Sequence, residues 1–208
     1  APTVPPPAPP ASGIPNLRTA AWKHQVIGYQ FLERQLGPDG GCALLAMSMG
    51  TGKSLVTIGA ICNLVKPEEP TLIIAPLRVV EVWPSEITRH AGLPLEVVAL
   101  GDDAGTVAKK AERAAEALKL ARARGDRLVL VINYESVWRQ PFAGWALKQQ
   151  WGLLVYDEAH RLKQPSGKAS MFAARLRNHA RLRLALTGTP MPHSPLDIYA
   201  LGRALDTQ

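Results

Sequence analysis

Six short apolar segments, separated by stretches of helical character, run through the sequence from residue 41 to residue 187. Most are apolar at consecutive positions, as strands are when both faces of a parallel sheet are covered. The stretches between them, such as 53–65 and 104–124, have the length of crossover helices. This alternation predicts an α/β fold, with a mostly parallel sheet and helices on both faces. The predicted strands are 41–46, 71–75, 95–100, 127–132, 152–156 and 183–187.

The first sixteen residues differ in composition from the rest of the chain. Residues 1–16 are dominated by proline and alanine, which favours extended backbone and predicts a flexible tail. The apolar content of 47% supports a buried core, so residues 17–208 are predicted to form one folded domain. Pro84 predicts a late start or a kink in the helical stretch after residue 77. Ser194 followed by Pro195 predicts the start of a final helix.

A glycine-containing segment joins the first predicted strand to the helix after it, and its sequence is MSMGTGKS, residues 47–54. This placement is typical of a phosphate-binding loop. Gly50 and Gly52 would let the backbone curl so that its N–H groups point at phosphate oxygens. Lys53 would neutralise phosphate charge, and the Ser54 hydroxyl would coordinate Mg²⁺. We therefore predict a nucleotide site here.

A second polar segment, VYDEAH, ends the fifth predicted strand. Ligands of open α/β sheets bind at the carboxyl ends of the strands, so Asp157 would face the phosphate loop and hold Mg²⁺. Glu158 would orient or deprotonate the attacking water, and His160 would report the state of the γ-phosphate. The alternative is an ordinary acidic helix start. The two segments together favour a nucleoside triphosphatase whose catalytic residues are Lys53, Asp157, Glu158 and His160.

Taken in order, the motifs resemble those of superfamily 2 helicase-like ATPases of the Swi/Snf type. Four more segments carry the resemblance: WKHQVIGYQFL (22–32), TLIIAPLRVVEVW (71–83), LVLVINYESV (128–137) and LTGTPMPHSPLDIYAL (186–201). The usual phosphate loop has glycine at position 47, and in this family the position is commonly acidic. Met47 therefore departs from both patterns, but at a position that tolerates change.

The resemblance implies roles for particular residues. Gln25 would read the edge of the adenine base, and Thr187 and Thr189 would link hydrolysis to movement. The DEAH box, with the Thr-Gly-Thr-Pro segment, favours the Swi/Snf or restriction-motor branches over RNA helicases. The residues implied to contact ATP are Gln25, Gly50, Thr51, Gly52, Lys53 and Ser54.

The resemblance also implies an architecture of two RecA-like lobes, with ATP between them and DNA across their tops. This chain would be the first lobe. The second lobe, with its arginine fingers, is absent, so the isolated lobe is expected to be a weak ATPase. Larger remodellers usually carry Leu-Gln-Asn where this chain has Met191, Pro192 and His193. That difference and the compact domain favour a small bacterial or phage protein, acting in the cytoplasm.

The net charge of +7 and the pI near 9.7 predict a polyanionic partner, unless they only reflect a biased genome. The resemblance implies duplex DNA, contacted through its backbone. Residues 161–183 contain no acidic residue, and they form either a phosphate track or a solvated face. In the helix 104–124, basic residues such as Lys110 alternate with Glu112 and Glu116, which favours a solvated face. The predicted DNA contacts are Arg78, Asn133, Tyr134, Arg161 and Lys163.

Three functions remain open from the sequence: a duplex DNA translocase, a strand-separating helicase or restriction-system motor subunit, and a single-lobe non-catalytic regulator that binds DNA or a partner. No apolar run approaches the roughly 18 residues of a membrane span, so no membrane partner is expected. Cys42 and Cys62 are predicted to be buried free thiols. The five tryptophans are predicted to be core or helix-packing residues: Trp22, Trp83, Trp138, Trp145 and Trp151.

Overall fold

A computed structural model describes residues 13–188 and 196–205 and shows a six-stranded sheet flanked by helices. The strands are β1 (Gly41–Ala46), β2 (Thr71–Ala75), β3 (Glu96–Leu100), β4 (Leu128–Asn133), β5 (Trp151–Tyr156) and β6 (Ala180–Thr187). The helices are α1 (Lys23–Leu36), α2 (Lys53–Leu64), α3 (Leu77–Val80), α4 (Val82–His90), α5 (Val107–Arg124), α6 (Tyr134–Val137), α7 (Phe142–Ala146), α8 (Lys168–Leu176) and α9 (Leu196–Leu205). Short 3₁₀ turns lie at Asp102–Ala104, Ala159–Leu162 and Arg177–His179.

The strands of the described sheet pair in parallel, in the order β1-β6-β5-β2-β4-β3. The predicted α/β fold with a mostly parallel sheet is therefore confirmed. The bounds of β1 and β2 agree with the prediction. The largest difference is in β6, which begins at Ala180 because that residue already pairs with Trp151 of β5.

Both faces of the sheet are covered by apolar side chains. Because side chains alternate along a strand, Leu72 and Ile74 of β2 belong to one buried cluster. Ile73 and Ala75 belong to another, on the opposite face. The first cluster includes residues of α5, α7 and α8, and the second includes residues of α1, α2 and α4. Burial on both sides explains why the strand is apolar at consecutive positions.

The helical stretch after β2 is divided in two, as Pro84 predicted. α3 ends at Val80, and α4 begins at Val82 after a break at Glu81. Pro84 lies in the first turn of α4, where its missing N–H leaves no helical hydrogen bond unmade.

The packed structure begins earlier than residue 17. Ile14 is buried against Gly59 of α2, where an added Cβ would lie 2.6 Å from Ile14 Cγ2. Residues 1–12 of the predicted tail lie outside the described residues, as do Ser194 and Pro195. Cys62 is buried but Cys42 is only half-buried, and both are free thiols. No described helix is long and apolar enough to cross a membrane.

Candidate functional site

Loops from four strands meet at the carboxyl edge of the sheet. β1 lies beside β6, β6 beside β5, and β5 beside β2, all in parallel. The ends of these strands therefore lie side by side, although they are far apart in the sequence. The strand order brings the phosphate loop, after β1, to within two strands of Asp157, after β5.

A cavity of about 350 Å³ opens at this edge. The structure thus brings Lys53, Ser54 and Asp157 together, as the sequence predicted, and places Glu158 beside them. The residues that line the cavity are Met49, Gly50, Gly52, Lys53, Ser54, Val79, Glu86, Asp157 and Glu158.

The phosphate loop is curled around the side chain of Lys53. Gly50 has a φ of 74° and Gly52 a φ of 85°, in the left-handed region that glycine adopts readily. Lys53 Nζ donates hydrogen bonds to Met47 O at 3.0 Å and to Ser48 O at 3.2 Å. The first residue of α2 thus places a cation inside the loop, at the N-terminal end of a twelve-residue helix.

Gln25 of α1 supports this loop through hydrogen bonds. Its Oε1 accepts a hydrogen bond from Trp22 N at 2.8 Å, and its Nε2 donates to Thr51 O at 3.1 Å. A Cβ at Gly52 would lie 2.2 Å from Gln25 Nε2, so the two residues are in close contact. Gln25 is buried, and it is not among the residues lining the cavity. The role that the structure shows is therefore loop support, and base reading remains a prediction.

The tryptophans differ in burial. Trp83 and Trp151 are buried, as predicted, and Trp138 and Trp145 are partly buried against the core. Trp22 is 42% exposed at the start of α1 and belongs to neither buried cluster, so it is not a core residue.

Asp157 is held in place by two aromatic residues that are distant in the sequence. Trp83 Nε1 donates a hydrogen bond to Asp157 Oδ2 at 3.1 Å. The buried Tyr134 donates its hydroxyl to Asp157 O at 2.9 Å. Burial raises the pKa of Asp157 above its usual value, and the hydrogen bond from Trp83 partly offsets this effect. The sequence predicts Trp83 only as a core or helix-packing residue and carries no signal for this contact.

Glu158 has strained backbone. Its φ of 51° lies in the left-handed region, which costs a non-glycine residue on the order of 1–3 kcal/mol. Residues Ala159–Leu162 continue from it as a 3₁₀ turn. His160 Nδ1 lies 3.2 Å from Glu158 Oε2, at ion-pair distance but without the angle of a hydrogen bond. Strain of this kind is concentrated at functional sites.

The end of β6 contacts the phosphate loop directly. Thr187 is fully buried, and its carbonyl accepts a hydrogen bond from Met47 N at 3.1 Å. A Cβ at Gly188 would lie 3.2 Å from Met49 Cγ. A displacement of this strand end would therefore shift the phosphate loop. Thr189 and Met191–His193 lie outside the described residues.

The donor atoms at the cavity fit a hard divalent cation. The Ser54 hydroxyl and the Asp157 carboxylate are oxygen donors, which Mg²⁺ prefers, and it binds through one or two carboxylates plus substrate phosphates. Within residues 13–188 and 196–205 there is no group of three or more His, Cys, Asp or Glu that could hold a metal ion. These two residues therefore suit a cation that arrives with a phosphorylated ligand.

A second cleft, of about 500 Å³, lies along the same edge at the ends of β2 and β4. Three predicted DNA contacts, Arg78, Asn133 and Arg161, line it, whereas Lys163 is half-buried and outside the lining. Tyr134 is 3% exposed, so its side chain offers no surface for DNA and the predicted contact is wrong. Its hydroxyl instead supports Asp157 through a hydrogen bond. The cleft is lined by Pro76, Leu77, Arg78, Asp102, Asn133, Glu135, Ser136, Arg139 and Arg161.

Lys110 overturns part of the prediction for α5. Instead of lying on a solvated face, it is 3% exposed, and its Nζ donates to Asn133 Oδ1 at 3.1 Å and Ser136 Oγ at 3.2 Å. Burial lowers the pKa of Lys110, and nearby carboxylates such as Asp102 oppose this effect. The sequence carried a signal for its position, because residues 110, 114 and 118 share one helix face and the other two are buried apolar residues.

The basic run 161–183 does not form one continuous track. Arg181 lies at the opposite edge of the sheet, at the start of β6, and pairs with Glu69 at 2.6 Å. Arg177 donates to Arg203 O, and Arg183 donates to Ala180 O. These side chains therefore stabilise the fold, while Arg161 remains at the carboxyl edge.

Comparison with known proteins places these features in a family. The SNF2-related domain matches residues 24–207. A Mus musculus protein, chromodomain-helicase-DNA-binding protein 1-like, is 32% identical over 91% of this chain and 20% of its own length. Zorya protein ZorD of Escherichia coli is 28% identical over 86% of this chain and 18% of its own length. This chain therefore spans about a fifth of the length of these relatives.

A solved structure shares the fold. It is the SWI2/SNF2 ATPase core of Sulfolobus solfataricus in complex with double-stranded DNA, which superimposes with a TM-score of 0.68 and 25% identity. The match covers 92% of this chain and 36% of the archaeal chain.

Proposed function

Because this chain belongs to the SNF2-related domain family, we propose that it is the ATP-binding lobe of a DNA-dependent ATPase. Hydrolysis would be coupled to translocation on duplex DNA or to its remodelling. The observation that supports the proposal most is the single cavity that collects Lys53, Ser54, Asp157 and Glu158 from two distant segments. In the intact protein a second RecA-like lobe would close over this cavity and supply arginine side chains to the transferred phosphate.

The phosphate loop would bind the triphosphate of ATP. Lys53 Nζ, which donates to two loop carbonyls, would turn to the β- and γ-phosphates, where its charge is better matched. Glycines 50 and 52 leave the loop backbone open to close approach by phosphate oxygens. Ser54 and Asp157 would hold Mg²⁺, which, when bound, neutralises charge on the phosphate oxygens.

Glu158 would orient the attacking water and accept its proton. Its carboxylate lines the cavity, and the His160 imidazole lies 3.2 Å from it. The hydrogen bond between Met47 N and Thr187 O would carry movement of the loop into β6. Thr189, which lies outside the described residues, is proposed as a second coupling residue. These contacts form the proposed link between hydrolysis and motion.

Duplex DNA would lie across the carboxyl edge, over the second cleft. Arg78 and Arg161 line this cleft and would contact backbone phosphates, which gives binding without sequence readout. The similarity to an ATPase core solved in complex with double-stranded DNA supports duplex DNA as the partner. Asn133, which lines the cleft, and Lys163, which lies outside its lining, remain proposed contacts.

Two other functions remain candidates. The second candidate is a strand-separating helicase or the motor subunit of a restriction system. We propose a bacterial or phage origin, which the similarity to an Escherichia coli protein supports, and a cytoplasmic location. A non-catalytic regulator is the third candidate, and the complete set of polar residues at the cavity counts against it.

The decisive experiment is ATP turnover by the full-length protein with and without duplex DNA. DNA is expected to stimulate turnover, and Lys53→Ala is expected to reduce it by about 10²–10³-fold or more, because a preorganised charge is lost. Lys66→Ala, which removes an exposed lysine between α2 and β2, is the matched control and should behave like the unchanged protein. Stimulated turnover that survives Lys53→Ala would refute the site.

A second pair of measurements separates binding from chemistry and assigns the type of motor. Glu158→Gln is expected to keep nucleotide binding and lose about 10²–10⁴-fold in turnover. A duplex translocase should displace a third strand from triplex DNA without separating the duplex. Efficient separation of duplex strands would favour the helicase alternative.

A further inference from the structure

Arg161 and Asn133 both donate to one carboxylate at the second cleft. Arg161 Nη1 donates to Glu135 Oε1 at 3.0 Å, and Asn133 Nδ2 donates to Glu135 Oε2 at 3.0 Å. Each oxygen of Glu135 thus accepts from a different cleft residue. The carboxylate occupies the position of an anion between a guanidinium and an amide.

Of the three residues in this arrangement, Asn133 is held firmly, whereas Glu135 and Arg161 are exposed. Asn133 is buried and accepts a hydrogen bond from the buried Lys110 at 3.1 Å. In contrast, the side chains of Glu135 and Arg161 are 52% and 42% exposed. Exposed ion pairs contribute little, so another anion can replace the carboxylate with little loss.

Two other cations of the cleft are available to a negatively charged ligand. Arg139 lines the cleft, and its guanidinium carbon lies 5.2 Å from the centre of the Trp138 ring. Arg78 also lines the cleft and is exposed. The two non-bridging oxygens of a phosphodiester match the pair of donors that Glu135 occupies.

Arg161 also connects this cleft to the nucleotide cavity. Its backbone N donates to Glu158 O at 3.1 Å, within the turn that begins at the strained Glu158. A change of partner by the guanidinium therefore acts on the segment that holds the proposed general base. Asp102 lines the same cleft, but no contact joins it to Arg161 among the described hydrogen bonds and ion pairs.

We propose that Glu135 is an internal competitor for DNA: it holds Arg161 until a backbone phosphate takes its place, and this exchange signals bound DNA to Glu158. This inference rests on the proposed DNA-dependent function and specifies how that function is regulated. Glu135 acts through Arg161 and is a positioning residue.

The test measures binding of a short duplex to the full-length protein by fluorescence anisotropy at one fixed salt concentration, since such binding depends strongly on salt. Glu135→Gln removes the charge and keeps an acceptor for Asn133. It is expected to tighten binding about two- to fivefold, the range of an exposed ion pair. Asp102→Asn removes the same charge from the same cleft and is expected to have a clearly smaller effect.

Two further variants separate exchange of partners from a general charge effect. Glu135→Asp keeps the charge but shortens the reach to Arg161, so it should also tighten binding. In an Arg161→Gln background, Glu135→Gln should tighten duplex binding no more than Asp102→Asn does. DNA-stimulated turnover of Glu135→Gln should reach half its maximum at a correspondingly lower DNA concentration.

Equal effects of Glu135→Gln and Asp102→Asn, or an effect of Glu135→Gln that persists without Arg161, would overturn the inference. In that case the unchanged protein would still bind DNA, and the proposed function would stand. Absence of DNA binding and of DNA-stimulated turnover in the unchanged protein would instead remove the proposed function, and the inference with it.

Discussion

Trp83 Nε1 donates a hydrogen bond to Asp157 Oδ2 at 3.1 Å, between two buried side chains that are 74 positions apart in the sequence. The indole stabilises the charged form of a carboxylate whose pKa burial raises. It also fixes one oxygen of the group that we propose holds Mg²⁺. Trp83 is thereby part of the nucleotide site, although it lies in α4.

Trp83→Phe is expected to weaken Mg²⁺ binding while keeping most of the ring packing. Loss of the hydrogen bond raises the pKa of Asp157 further, so the acid limb of the turnover–pH profile moves to higher pH. A hydrogen bond to a charged group contributes about 1.5–3 kcal/mol, so half-maximal turnover should need roughly tenfold more Mg²⁺ or more. Magnesium titrations at several pH values measure both effects.

Trp151→Phe is the matched control, because Trp151 is equally buried and its Nε1 donates to Ala146 O, away from the site. Thermal melting compares the stabilities of the two variants, and the magnesium requirement of Trp151→Phe should be unchanged. Equal magnesium and pH responses of the two variants would contradict the assigned role of Trp83.

The two glycines of the phosphate loop are expected to differ in their tolerance of alanine. Both have positive φ, which strains any other residue. At Gly50 an added Cβ meets nothing within 4 Å, whereas at Gly52 it lies 2.2 Å from Gln25 Nε2. Gly52→Ala should therefore weaken nucleotide binding much more than Gly50→Ala, by at least about tenfold. Calorimetric titration with ATP and Mg²⁺ measures the difference, and a reversed order would show that Gln25 does not support the loop.

Asp157→Asn should stabilise the fold while abolishing turnover. Because the pKa of Asp157 is raised in the folded state, its contribution to stability is present at acid pH and is lost as pH rises through that pKa. Asparagine has no charge at any pH, so the variant should melt higher than the unchanged protein at neutral pH. A gain of about 1 kcal/mol corresponds to roughly 2–4 °C in a domain of this size.

The control is Asp103→Asn, which changes an exposed carboxylate and should leave the melting temperature unchanged. The advantage of Asp157→Asn should disappear in acid, where both side chains are neutral. A lower melting temperature for Asp157→Asn at neutral pH would contradict a destabilising buried charge.

The strands were predictable because burial on both faces makes them apolar at consecutive positions, as in β2. The phosphate loop and Asp157 were predictable because each polar segment directly follows such a strand. Strand order was not, since it depends on pairings such as that of β1 with β6, which no local pattern encodes. The order determines which side chains meet.

The sequence predicted the wrong position for charged side chains that have a buried partner. Lys110 looks solvated because its neighbours in the sequence are charged, but its ammonium reaches Asn133 across the fold. Arg181 was predicted to lie on a phosphate track or on a solvated face, but Glu69 binds it from 112 positions away. Long side chains can place a charge several ångströms from their backbone, so local charge patterns do not show which face the charge occupies.

The ion pair of Arg181 and Glu69 is expected to stabilise the edge of the sheet opposite the candidate site. Arg181 donates three hydrogen bonds to the Glu69 carboxylate, and it also donates to Pro38 O and Leu64 O. Both side chains are mostly buried, with exposures of 16% and 21%. Arg181→Ala should therefore cost on the order of 2 kcal/mol, between the values for exposed and fully buried pairs.

The pH dependence of stability gives this pair a signature. Burial alone would raise the pKa of Glu69, but the hydrogen bonds from Arg181 lower it below the usual value. A carboxylate with a lowered folded-state pKa contributes stability above the unfolded pKa and loses it as pH falls through the folded one. The free energy of unfolding in urea should thus be lower for Glu69→Gln than for the unchanged protein. This difference should be largest at neutral pH and shrink in acid. Glu68→Gln, which changes the exposed neighbouring carboxylate, should show almost no difference at either pH. A Glu69→Gln difference that stays constant with pH would mean that packing, rather than charge, holds this edge together.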